Sequence, residues 1–303
     1  MTGFYDVVLR WLRVVAPECI GHFVTVDLPR TFDDWRAIRL CVPWLQDPVQ
    51  QWSPSTYETV LRLQERCDER GIPVLNRVEN LTNAGKTEAG RRIAPCGMRV
   101  APMALLDDLE EFRKSFAGLS FPLFVREDWG HGGPIVRAET PEQARAIPLE
   151  RFQRPVAIQI IDVKSPHDGL FHKYRYFTCG SIGVSHHVQV SQDWVTRGWQ
   201  RVINEATRAE ELAYIGQPDV NHTRLQSARR ALELDMVAFD YGYTADGEVV
   251  VWEANPFPRL QFGATTTVYR NRAMHRSIAA MVHTYLDTAG LPVPAAVREL
   301  VQY

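Results

Sequence analysis

Asp240, Glu253 and Asn255 are the residues of this sequence whose types and spacing could hold a metal ion. They lie on two runs rich in β-branched and aromatic residues, Leu234 to Asp240 and Val249 to Pro256, separated by Asp246-Gly247. An Asp-Gly pair between such runs predicts a β-hairpin with a two-residue turn. In that register Asp240 faces Glu253, and Asn255 shares their face because strand side chains alternate. A four-residue loop would keep all three together; a three-residue loop would not. Facing carboxylates repel unless positive charge lies between them. Two carboxylates and an amide oxygen suit Mg²⁺, a hard cation that keeps waters and completes its shell from phosphate. The bland alternative is a hairpin whose carboxylates face solvent and need no metal.

Other positions are suited to a phosphorylated ligand. Lys86 follows Asn83-Ala84-Gly85 at a helix start, where the dipole disfavours a cation, so an anionic partner is expected there. Arg126 ends a short apolar strand and could hold a phosphate bidentately. The stretch after it contains Gly130, Gly132 and Gly133 before a return strand, the composition of a flap that lays backbone amides on phosphate oxygens. No Gly-Lys-Ser/Thr follows, so it is not a P-loop. Lys173 and Arg175, two apart in a strand, put two charges on one face. Gln159, Ile160, Ile161 and Asp162 end an apolar strand, where free main-chain groups suit adenine and a carboxylate suits ribose hydroxyls. Taken singly, each has an ordinary explanation: an exposed turn, a surface ion pair, a solvated face, a strand end.

The order of these features along the chain, from about Leu75 to Met281, resembles the ATP-grasp superfamily of carboxylate-amine ligases. Its most specific part is Asp240 with Glu253-Ala254-Asn255-Pro256. The resemblance implies an α/β (α+β) fold in which two ATP-grasp subdomains, 101–165 and 166–303, clasp ATP behind a small N-terminal α/β pre-domain, 1–100. It implies Lys86 and Arg126 as phosphate contacts, Gly130, Gly132 and Gly133 as the flap, and Gln159, Ile160, Ile161 and Asp162 as the adenine and ribose hinge. Lys173 matches the basic strand, and Asp240, Glu253 and Asn255 match the Mg²⁺ ligands. Arg175 would stabilise the transferring phosphoryl group, and Arg259 would anchor a carboxylate. The implied activity is ATP-dependent formation of an amide or peptide-like bond through an acyl phosphate. The alternatives are a phosphotransferase on the same nucleotide site and a non-catalytic nucleotide-binding protein. Arg126 and Ile160 depart from the family, which usually has lysine at the first position and often an acid at the second.

Composition narrows the class. A formal charge of −2 over 303 residues gives no reason to expect nucleic acid or an anionic membrane as partner. Expected partners are small-molecule or peptide acids and amines, with self-association into a homo-oligomer left open. Cys19, Cys41, Cys67, Cys96 and Cys179 are odd in number and widely spaced, which argues for reduced thiols in the cytoplasm. No stretch approaches the roughly 18 apolar residues of a membrane span, and no signal peptide is expected. His186 and His187, consecutive in a strand, should point to opposite faces. Towards the N-terminus the periodicity predicts a helix from Thr2 to Ala16 and strands at Phe23 to Leu28, Ala37 to Val42 and Ile72 to Leu75. Further on it predicts a helix from Leu105 to Phe116.

Overall fold

The computed structural model describes residues 4–28, 34–106, 118–129, 133–194, 201–263 and 265–303. Most of the helix expected between Leu105 and Phe116, and the flap glycines Gly130 and Gly132, lie outside the described residues.

Short apolar runs build a first antiparallel sheet from β1 (Met103–Leu105), β2 (Leu123–Glu127), β3 (Val136–Ala138) and β4 (Pro155–Gln159), in the order β1-β4-β2-β3. Leu123, Val125 and Ala157 pack on one side of it with Leu149 and Phe152. Alternation therefore turns Phe124 and Arg126 to the opposite face. The second sheet holds β5 (Phe171–Cys179), β6 (Ile182–Ser191), β7 (Met236–Tyr243) and β8 (Val249–Asn255), in the order β6-β5-β7-β8.

This second sheet is covered on both faces, so β7 reads as a continuous apolar run rather than an alternating one. Phe177, Cys179 and Ala238 join one core with Leu12, Ile278 and Met281. Tyr176, Phe239 and Tyr241 join the other with Val60, Ile93 and Leu225. N-terminal residues thus serve both cores: the helix Phe4–Val15 lies against the first, and the helices Pro54–Asp68 and Lys86–Ile93 against the second.

The N-terminal strands expected from periodicity do not form. Residues 23–28 and 37–42 are irregular apart from a single parallel bridge between Cys41 and Val74. Cys41 N–H donates to Pro73 O and Leu75 N–H to Cys41 O, both at 3.0 Å. Pro43 and Pro73 have no N–H to extend that ladder, and Val24 is left 74 % exposed with no sheet to cover it. The five cysteines are free thiols. Among the described residues no helix is long and apolar enough to cross a membrane.

The hairpin corrects the expected turn. Its loop has three residues, Ala245, Asp246 and Gly247, between Thr244 and Glu248, whose main chains pair at 3.0 Å. Gly247 takes φ +84°, the left-handed conformation that closes a three-residue loop. Such a loop alone would slip the register by one. A β-bulge removes the slip: Tyr241 pairs with Val251 but Asp240 pairs with Glu253, so Trp252 is an extra residue in β8. A second bulge lies at the same level on the other side, where Arg175 pairs with His187 and Tyr176 with Ser185, leaving His186 extra in β6.

Candidate active site

The two bulges bracket one row across the second sheet. His187, Arg175, Asp240 and Glu253, one from each strand, are aligned neighbours on a single face. The facing carboxylates are neutralised by cations from the same sheet and from the helix Lys86–Ile93. Arg175 forks onto Asp240, with Nε to Oδ1 at 2.6 Å and Nη2 to Oδ2 at 2.8 Å. Lys173 Nζ lies 3.0 Å from Asp240 Oδ2, and Lys86 Nζ lies 3.5 Å from Glu253 Oε2. The solvent-facing hairpin is therefore excluded, since the side chain of Asp240 is 5 % exposed and that of Glu253 17 %. Burial alone would raise the Asp240 pKa, but Arg175 and Lys173 outweigh it and hold the carboxyl well below its usual range. Asn255 ends β8 on the same face, and its Oδ1 accepts a hydrogen bond from Phe257 N–H at 2.9 Å.

Lys86 is the first residue of its helix and is buried, with Nζ donating to Trp252 O at 3.3 Å. Burial pushes its ammonium down to about 8, Glu253 works against that shift, and the nearby charge of Arg126 adds to it. The helix start is capped in trans from the residue after β2: Asp128 Oδ1 accepts from Thr87 N–H at 2.8 Å and Thr87 Oγ1 at 2.9 Å. Arg154 Nε approaches Asp128 Oδ2 at 3.3 Å. Glu127 beside it accepts from Gln153 and Arg154 N–H at 3.0 and 2.9 Å. Gly133 takes φ +75°, and a Cβ there would come within 3.0 Å of Glu127 Cγ. Asp128→Ala is therefore expected to cost about 1–2 kcal/mol of stability, the worth of an N-cap, seen as a lower urea midpoint.

β4 stops at Gln159, whose N–H donates to Pro102 O at 3.0 Å and whose side chain accepts from Ser120 N–H at 3.1 Å. Ile160 N–H is taken by Pro122 O at 3.1 Å. Among the described residues Ile161 and Asp162 make no main-chain hydrogen bond, and the Asp162 carboxylate accepts from Lys164 N–H at 2.9 Å. Arg259 is not brought to the row; it is exposed and forks onto the side-chain oxygen of Gln261 at 2.9–3.0 Å.

No family model and no curated protein sequence matches the chain. Among solved structures it is similar to the D-Ala:D-Ser ligase VanG of Enterococcus faecalis, an ATP-grasp ligase. The match has a TM-score of 0.52 and 16 % identity, over 83 % of this chain and 73 % of that one. The chain has the ATP-grasp fold. Other ATP-grasp neighbours include the ADP complex of N5-carboxyaminoimidazole ribonucleotide synthetase (TM-score 0.47, 16 % identity, 78 % of this chain and 58 % of that one). The ligase PsnB with its minimal precursor matches at TM-score 0.46 and 14 % identity, over 73 % and 72 %.

Within this ATP-grasp frame several residues escaped the reading of the sequence. The bulge that makes His186 extra brings the two imidazoles together, Nδ1 to Nδ1 at 2.7 Å, instead of sending them to opposite faces. Burial and then the charges around them, Arg175 and Arg270 included, push His186 down to about 3 and His187 well below its ordinary value. Glu211, fully buried, binds Arg201, Arg270 (2.5 Å) and the Tyr269 hydroxyl (2.5 Å), and so anchors the wall behind the histidines. The His-His pair was visible in the sequence; the bulge that aims it was not.

Proposed function

We propose that this chain is an ATP-dependent ligase that joins a carboxylate to an amine through an acyl phosphate. The observation that carries the reading is the row Arg175, Asp240, Glu253, with Lys86 and Lys173 on its carboxylates and Asn255 at its end. Three cations, two carboxylates and the Asn255 amide come together there. Residues 1–100, 101–165 and 166–303 serve in this reading as pre-domain, flap-bearing subdomain and metal-bearing subdomain.

The donor set fits Mg²⁺. Asp240 and Glu253 offer hard oxygens from facing positions, and Asn255 Oδ1 keeps a second lone pair beyond the one Phe257 N–H uses. Among the described residues no cluster of three or more His, Cys, Asp or Glu could hold a metal, which leaves the rest of the shell to phosphate and water. When bound, Mg²⁺ neutralises phosphate charge. The carboxylates then no longer need the whole of their present partners, and Lys86, Lys173 and Arg126 can turn to phosphate oxygens. Ile160, Ile161 and Asp162 take the adenosine end, and Gly130, Gly132 and Gly133 cover the phosphates. Arg175 meets the charge that builds up as the γ-phosphoryl passes to the acid. The amine then attacks the acyl carbon, phosphate leaves, and one proton is released. Arg259 is the anchor proposed for a substrate carboxylate.

The test is product stoichiometry across a panel of acids and amines. ADP and phosphate should form one for one with a new amide, and only when both co-substrates are present. ADP with a phosphorylated product and no need for an amine would replace the ligase by a phosphotransferase.

A further inference from the structure

Among the described residues, the buried polar atoms Asn255 Nδ2 and Asp47 Oδ1 find no hydrogen-bond partner. They line the same small cavity, of about 10 Å³, together with Gln46, Ala84 and Phe257. Asn255 is 3 % exposed. The chemistry of the two atoms is complementary, since an amide nitrogen only donates and a carboxylate oxygen only accepts. A buried polar atom left without a partner costs about 1–3 kcal/mol, so the cavity has to be read with what completes it. A volume of about 10–15 Å³ is the room one water needs, and a water placed there would accept from Asn255 and donate to Asp47.

We propose that Asp47 is a positioning residue for Asn255, holding the nitrogen end of its amide through a single bridging water. The inference rests on the reading of Asn255 as a cation ligand. Phe257 N–H already grips the oxygen end at 2.9 Å. With the nitrogen end tethered too, the amide plane cannot rotate, and the free lone pair of Oδ1 keeps its aim. Groups behind a metal ligand often matter in this way, and their loss typically costs 10- to 100-fold in metal affinity. The irregular coil that carries Asp47 is itself docked on the end of β8. Trp44 packs on Phe257 with ring centroids 4.9 Å apart, and Val49 is buried.

The test uses Mn²⁺ as the probe, with ADP, on the full-length protein and its Asp47→Ala and Asp47→Asn variants. Mn²⁺ binding is read by electron paramagnetic resonance, and metal-free ADP binding by calorimetry. Asp47→Ala should weaken Mn²⁺ binding at least about 10-fold and leave metal-free ADP affinity unchanged. Asp47→Asn removes the charge but keeps an oxygen acceptor, so it should retain near-native Mn²⁺ affinity. Unchanged Mn²⁺ affinity in Asp47→Ala overturns the inference. So does an equal loss in both variants, which would mean that charge alone acts, or a parallel loss of metal-free ADP binding, which would mean general disruption. Failure of the unsubstituted protein to bind Mn²⁺ with ADP would instead remove the nucleotide-site reading, and this inference with it.

Discussion

Replacing Glu253 by Gln is expected to lower ATP-dependent turnover at least about 1,000-fold, or about 4 kcal/mol of transition-state stabilisation, while the protein stays folded. The substitution keeps the shape of the side chain and removes only its charge. Glu253 faces Asp240 across β7 and β8, so the pair is the place where a divalent cation has most to gain from two anionic oxygens. The fold should survive because the cores above and below the sheet are built from other residues, such as Phe177, Phe239 and Leu225. Lys86, 3.5 Å away, would lose its counter-charge, but its ammonium already sits low at about 8 and can shed its proton. Circular dichroism and thermal melting should therefore change little while ADP release stops. Wild-type turnover in this variant would reject Glu253 as a cation ligand.

The site was legible in the sequence to the extent that its residues sit on one hairpin and obey strand alternation. Asp240 does lie opposite Glu253, but by a different route from the expected one. Asp-Gly fits both a two-residue turn and the end of a three-residue loop, and the three-residue loop formed. A bulge at Trp252 then restored the facing pair. A bulge leaves no periodic trace, because it is one residue out of step within an otherwise apolar run. The same holds at His186, where strict alternation separates two imidazoles that the structure joins. The N-terminal strands failed for a related reason: β-branched residues near Phe23 and Cys41 had the local composition of strands but prolines where a ladder needs N–H groups. Asp128 and Asp47 could not be found by pattern at all. Each acts on residues distant in the chain, Asp128 on Thr87 and Asp47 across a cavity from Asn255.

Arg175 should separate chemistry from binding. Its fork on Asp240 aligns a guanidinium in the row from which the phosphoryl group would be handled, with Lys173 and Lys86 flanking it. Arg175→Ala is expected to lower single-turnover rates about 100- to 1,000-fold, with ADP affinity nearly unchanged because the lysines and Arg126 still offer charge to the phosphates. The substitution also takes one partner from a buried carboxylate, which typically costs about 3–5 kcal/mol of stability, although Lys173 at 3.0 Å remains to offset part of it. Arg175→Lys therefore carries the decisive comparison. It preserves the charge and most of the stability but not the planar two-point fork, so its turnover should also fall while its melting temperature recovers. Should Arg175→Lys instead turn over normally and bind ADP weakly, Arg175 would belong with the groups that hold the nucleotide. The charge meeting the transferring phosphoryl would then have to come from Lys173 or from the bound cation.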